Sequence, residues 1–257
     1  MSPLIFVIIA IGLVMIAVEL AQPARQWPDV AGWWGRAILF NGVQIGGVYF
    51  AGVAWDGWII DQRLWSIDEL HPVAGGLIGY FVLTFIYYWW HRARHESHLL
   101  WNIFHQFHHS PRRLEVVTTF YKSPTEIFTN ALISSLVVYF VVGLSPEAAA
   151  VATLFAGCAE FFYHWNVKTP HWIGYFIQRP ESHCVHHQRG LHRYNYGDLP
   201  LWDMLFGTFY NPREWDEQCG FDEDEELKVV DMLLFRDVQR YEDEAPDPLV
   251  QRAGGRR

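Results

Sequence analysis

Cysteine is scarce. The chain of 257 residues has three, Cys158, Cys184 and Cys219, and no two form a CxxC pair. A disulfide framework is therefore not expected. Cys184 lies inside a histidine cluster, where it reads as a small spacer in preference to a ligand. Basic charge is also short, 19 Lys and Arg against 28 Asp and Glu, and the net charge is −9. Much of the acid sits in Asp222–Glu226 and around Glu242–Glu244. That balance argues against a nucleic-acid partner. The N-terminal apolar run starts at Pro3 with no basic segment ahead of it. At about 18 residues it is longer than a signal-peptide core, so it reads as a retained membrane helix. The HExxH pattern of zinc hydrolases is missing: after His95-Glu96 the second histidine position holds Leu99, and His98 falls one residue early. No internal repeat is evident.

What the chain does have is apolar and aromatic residues, with 13 Trp, 12 Tyr and 18 Phe in a sequence that is 51% hydrophobic. Such richness suits aromatic belts at two membrane interfaces. The mean hydropathy of only +0.03 averages an apolar half with a polar, histidine-rich half. Five stretches approach the roughly 20 residues needed to cross a bilayer, at about 3–21, 37–58, 73–90, 126–143 and 147–163. The second is the weakest, with Asn41, Gln44 and several glycines, and the third ends in Tyr87-Tyr88-Trp89-Trp90. Gly143-Leu144-Ser145-Pro146 leaves room only for a tight turn, so the last two form an antiparallel hairpin. The fold class expected is all-α, an integral membrane helical bundle of about four to five transmembrane helices with a cytoplasmic, histidine-rich helical lobe. Arg92, Arg94, Arg112, Arg113 and Lys122 follow the third stretch, whereas Asp56, Asp61, Asp68 and Glu69 face Arg63 alone before it. The positive-inside rule then places residues 91–124 in the cytoplasm. The membrane is the inner or plasma membrane if the source is bacterial.

Nine of the thirteen histidines gather at the ends of these stretches. They are His91 and His95, then His105, His108 and His109, then His164, then His183, His186 and His187. Counting spans brings all nine to one membrane face, where everything after the fifth stretch also stays. Neutral imidazole is the commonest protein ligand for transition metals, and about four ligands satisfy one zinc. Nine therefore point to more than one metal. With no Pro or Gly, residues 91–109 read as one helix, on which His91, His95, His98, His105 and His109 recur near one stripe. His71 and His171, standing apart, read as ordinary hydrogen-bonded side chains.

These motifs resemble the fatty acid hydroxylase/sterol desaturase superfamily, integral membrane non-haem di-iron oxidases, in its bacterial-type sterol desaturase form. The resemblance covers roughly 80–210: His91-Arg92-x-x-His95-Glu96, Leu100-Trp101-x-x-His105-x-x-His108-His109-Ser110-Pro111, His164 near Asn166, Pro180-x-x-His183-x-x-His186-His187, Asn195-Tyr196-Gly197 and Trp202-Asp203-x-Leu205-Phe206-Gly207-Thr208. It implies that the same nine histidines ligate two iron ions, with no separate acid or base. It also implies that O2 and reducing equivalents, ultimately from NAD(P)H, are used to hydroxylate or desaturate a lipid or sterol-like substrate drawn from the bilayer. Hydroxylation is preferred because it needs a single hydrogen abstraction. Neither terminus has room for a fused cytochrome b5-like domain, so a separate electron-transfer protein is expected.

His192 stands as a possible further ligand or outer-shell group. Glu160, one turn before His164, stands as a possible carboxylate partner of its second N–H. Asp203 reads as a turn or cap residue that shapes the C-terminal lobe, and Glu96, Glu181 and Asp198 as solvated or interfacial acids. Val229–Phe235 reads as packing on the lobe. The expected organisation is 1–72 as N-terminal transmembrane helices, 73–215 as the di-iron catalytic domain, and 216–257 as an acidic segment with a disordered tail from about 244. A histidine-rich metal transporter and a zinc-dependent membrane hydrolase are the alternatives. The one-sided placement of the histidines speaks against the first and the missing HExxH against the second.

Overall fold

A computed structural model describes residues 4–239, and the expected disordered tail lies outside them. Five apolar helices form the bundle. They are α1 (Leu4–Ala21), α2 (Trp33–Asp61, with a π-helical turn at Gly52–Asp56), α3 (Pro72–Glu96), α5 (Pro124–Val141) and α6 (Pro146–His164). Between α3 and α5 lies α4, a broken helical stretch over 98–109. After α6 come the short helices α7 (Pro180–His186), α8 (Pro200–Phe206), α9 (Glu223–Glu226) and α10 (Val229–Leu233). Among the described residues the only β-type pairing is an isolated bridge between Gln188 and Cys219.

The all-helical membrane class agrees with the sequence reading. By length and composition, α2, α3 and α5 are the helices among the described residues able to cross a membrane, three where about four to five were expected. α1 is apolar over the shorter Phe6–Ala21, and Glu147 and Glu160 dilute the apolar run of α6. α6 nevertheless lies alongside α3, and α1 alongside α6. α6 is the central element, packed along α3 on one side and α1 on the other, while α2 packs on α5. Glycines set the α3–α6 approach: a Cβ on Gly76 would come within 2.5 Å of Val151 Cγ1, and one on Gly79 within 2.5 Å of Leu144 Cδ1. The α5–α6 hairpin turns where expected. Gly143 takes a left-handed φ of 75°, Ser145 Oγ accepts from Ala148 N at 3.2 Å, and Pro146 opens the helix.

The single helix expected over 91–109 is not found. α3 ends at Glu96, and Ser97 turns extended (φ −116°, ψ 113°), its Oγ accepting from Leu100 N at 3.4 Å. A π-helical turn follows at Trp101–His105 and advances the register by an extra residue. Trp101, packed with Phe107 and Phe221 in one buried cluster, holds the bend. His98 is thereby turned out of the expected stripe and meets Asp237 Oδ2 at 2.7 Å on the surface. α10 packs on the lobe through Met232, which is buried with Trp33, Phe40 and Trp101. His71 caps α3 by accepting from Val73 N at 3.3 Å, and His171 meets the Asn211 carbonyl at 3.2 Å.

Gly76→Val is expected to overpack the α3–α6 seam. The cost of about 1–3 kcal/mol should appear as a Tm lowered by several degrees in detergent-solubilised protein.

Candidate metal centre

Helical geometry explains the histidine spacing. Residues four apart lie on one face, while adjacent residues diverge by about 100°. In α4, His105 and His109 therefore point one way and His108 another. In α7, His183 and His187 share a face and His186 faces away. The structure combines these faces with α3 and the end of α6 into two groups. His91, His95, His105, His109 and His186 form one; His108, His164, His183 and His187 form the other. Within each group the candidate ligand atoms lie within 4.8 Å of one another. The groups abut: the His109 and His187 rings stack at 4.1 Å with an interplanar angle of 13°. All nine histidines singled out from the sequence are thus brought together.

Five of the rings are aimed through Nδ1. Those of His91 and His186 meet the carbonyls of Tyr196 and Tyr194, both at 2.8 Å. Those of His108 and His164 meet the carbonyls of Tyr121 at 3.3 Å and Glu160 at 2.8 Å. His105 Nδ1 lies 3.1 Å from Glu126 Oε1, and that carboxylate also pairs with Arg94. The inward nitrogens lack such partners. Nε2 of His91, His95 and His186 is buried with no hydrogen bond. Elsewhere Nε2 atoms face each other, His105–His109 at 3.2 Å, His164–His183 at 3.1 Å and His183–His187 at 3.1 Å. Where Nδ1 donates to a carbonyl, as in His91, His108, His164 and His186, Nε2 keeps a lone pair able to bind a cation. The donor set therefore fits transition-metal ions with imidazole preference, among them Fe, Zn, Cu and Ni.

Burial, reinforced by neighbouring imidazoles and cations, pushes His105, His108, His109, His183 and His187 well below the ordinary histidine value, and His186 down to about 3. The rings are held neutral, the form that ligates metal.

Glu160 corrects one expectation. Its backbone carbonyl, not its carboxylate, meets His164, and the carboxylate accepts from Lys122 Nζ at 2.7 Å. Lys122 is 38 residues away in sequence, and its ammonium, a full positive charge, is a stronger partner for the carboxylate than a neutral imidazole N–H. His192 stands outside both groups, with its Nδ1 3.2 Å from His109 Nδ1. Its φ of 42° is left-handed, as are those of Tyr194 and Asn195, and this turn presents the Tyr194 and Tyr196 carbonyls to the histidines. Asp203 builds the same turn, accepting from Tyr196 N at 2.8 Å, Gly197 N at 2.9 Å and Thr208 Oγ1 at 2.7 Å. Its reading as a turn-shaping residue agrees with this geometry. Glu181 is buried and bonds Thr169 and Arg179, unlike the solvated acid expected, and Asp198 accepts from Tyr163. Glu96 does pair at the surface with Arg92. The Arg94–Glu126 pair was missed. The available signal was an acid opening an apolar helix and an arginine inside an HxxxH motif.

A cavity of about 750 Å³ leads away from the histidines. His91, His108, His164 and His183 line one end, and the remainder is lined mainly by apolar residues such as Ile8, Leu13, Ile45, Val48 and Leu83, with Asn41, Gln44 and Asn130 among them. Lys122, Glu160 and Asp198 form a polar strip in its wall.

A bundle of membrane helices carrying a polyhistidine cluster at one end of a largely apolar cavity defines a class, membrane proteins with a histidine-rich candidate metal site. Within that class the chain belongs to the fatty acid hydroxylase family, whose model matches residues 76–208. The chain is similar to alkylglycerol monooxygenase of Homo sapiens, 34% identical over 135 residues, 49% of this chain and 28% of that protein. It is similar to very-long-chain aldehyde decarbonylase GL1-4 of Oryza sativa subsp. indica, 26% identical over 187 residues, 68% of this chain and 29% of that protein. Sphingolipid C4-hydroxylase sur2 of Schizosaccharomyces pombe is 25% identical over 146 residues, 55% of this chain and 50% of that protein. The chain thus spans between about a quarter and a half of the length of these relatives. No solved structure matches it.

Two outcomes are expected. Glu126→Ala leaves Arg94 buried without its counter-charge at a cost of about 3–5 kcal/mol, measurable by thermal unfolding. Because the unfolded chain binds protons below about pH 6.5 that the folded one refuses, metal-free protein should hold full stability above that pH. It should lose up to about 1.4 kcal/mol per pH unit for each such imidazole as the pH falls, seen as an acid shift of the Tm.

Proposed function

We propose that the two histidine groups hold two iron ions and that the chain is an O2-dependent membrane oxidoreductase that hydroxylates, or less readily desaturates, a C–H bond of a lipid. The observation that carries this reading is the placement of nine neutral imidazoles, seven of them buried, in two adjoining groups at one end of a largely apolar cavity. Membership of the fatty acid hydroxylase family, and relatives named as a monooxygenase and a hydroxylase, support it. Iron held by nitrogen ligands supplies reductive activation of O2 and an oxidant able to break an unactivated C–H bond.

The chain's own residues set where that chemistry falls. Apolar side chains of α1, α2, α3 and α6 line a volume within the range of small-molecule sites and give an acyl chain a water-free channel to the histidines. Carbonyls of Tyr121, Glu160, Tyr194 and Tyr196 hold the Nδ1 protons, so the rings keep both tautomer and aim. Electrons come from a separate donor drawing ultimately on NAD(P)H. The Lys/Arg bias supports a cytoplasmic histidine face, where such a donor is available.

The test is mass spectrometry of total lipids from cells expressing the wild type or His186→Ala. A His186-dependent species heavier by one oxygen is the expected result. A species lacking two hydrogens would make the chain a desaturase instead. Purified wild type is expected to carry two irons per chain; full zinc occupancy with no lipid change would refute the iron reading.

A further inference from the structure

We infer that α8, which carries the Trp202-Asp203-x-Leu205-Phe206 motif, is embedded in the bilayer's hydrocarbon beside α3, and that the lobe is anchored by an apolar face resting in that leaflet. The sequence reading left everything after α6 outside the membrane. The depth of α3 argues otherwise.

The apolar run of α3, Val73 to Trp90, is bounded by Glu69 and His71 before it and by His91, Arg92 and Arg94 after it. Its length is about 27 Å from the rise of an α-helix, against a hydrocarbon core of about 30 Å. Such a run has no slack to slide outward, so each residue's depth is set. α8 packs against its middle. The Trp202 ring lies 5.1 Å from Phe81 and 4.9 Å from Phe85, and Phe206 lies 4.7 Å from Trp89. Phe81 is nine residues before Trp90, or about 14 Å deeper along the helix. α8 therefore climbs from well inside the leaflet to the interfacial aromatic cap.

The polar bookkeeping agrees with that depth. Backbone in hydrocarbon must be satisfied from within the protein. Trp202 Nε1 donates to Thr84 Oγ1 at 3.0 Å, and Asp203 points inward to Tyr196, Gly197 and Thr208. What faces outward is apolar. Leu201, Met204 and Leu205 are 40%, 43% and 62% exposed, and in the neighbouring turn Trp172 and Phe176 are 64% and 70% exposed. This surface continues the lipid-facing side of α3, where Phe81 and Trp89 are themselves 47% and 41% exposed. The bilayer that covers α3 is thus the occupant of the patch.

The test places a nitroxide label on Leu205→Cys, in a background with Cys158→Ala, in full-length protein reconstituted into phosphatidylcholine nanodiscs. Collision with O2, which concentrates in hydrocarbon, is compared with collision with a water-soluble nickel chelate. Several-fold greater relaxation by O2 is expected at 205 and at a second site, Leu201→Cys, with the reverse at Glu214→Cys on the same lobe. Nickel-dominated relaxation at 201 and 205 would put the patch in water and overturn the inference. Protection from both reagents would mean a protein partner or second copy covers it, and would equally overturn it.

Discussion

A neutral imidazole has one nitrogen that must donate and one that must accept, and in a buried, low-dielectric site both demands have to be met within the protein. Nine such rings in contact impose that demand nine times over. Carbonyls of Tyr121, Glu160, Tyr194 and Tyr196 answer it on the donor side. On the other side several Nε2 atoms face one another at 3.1–3.2 Å, a set of neutral nitrogens that suits a cation. Much of the local backbone irregularity follows from this constraint. The extended Ser97, the π-turn at Trp101–His105 and the left-handed run at His192–Asn195 are the places where chain geometry yields so that ring nitrogens and carbonyls meet.

Charge is distributed to keep the rings neutral while the site stays dry. Arg94 and Lys122 are cations at the edge of the histidine cluster, and each is matched by one carboxylate, Glu126 and Glu160. Glu126 is shared between Arg94 and His105, so one acid both neutralises a buried cation and fixes a ring. Beyond this ring of pairs the cavity wall is mixed, with Ile8, Leu13, Ile45 and Val48 set among Asn41, Gln44 and Asn130.

The motif Trp202-Asp203 connects the bilayer to this arrangement. Trp202 is held against α3, Asp203 ties the turn at Tyr196, and the Tyr196 carbonyl orients His91. With α8 seated in the leaflet, the depth of the membrane helices and the aim of a histidine belong to one rigid path. The arrangement explains how a site assembled from four separated stretches of chain keeps its register relative to the lipid.

Local periodicity was enough to determine much of this protein. The apolar runs, the hairpin at Gly143–Pro146, and the opposite facing of His108 and His109 or of His186 and His187 all follow from the repeat of a helix, which neighbouring residues settle among themselves. The nine histidines were legible for the same reason. Only the tertiary structure decided which histidine joined which group, because that depends on how α3, α4, α6 and α7 cross. It also turned His98 outward, since a serine cap and the packing of Trp101 outweigh the helical propensity of 91–109. The carboxylate of Glu160 went to Lys122, a partner 38 residues away, and α8 went to the side of α3, more than a hundred residues back. Partners at such separations are chosen by packing and charge across the fold, and no local pattern in the chain encodes them.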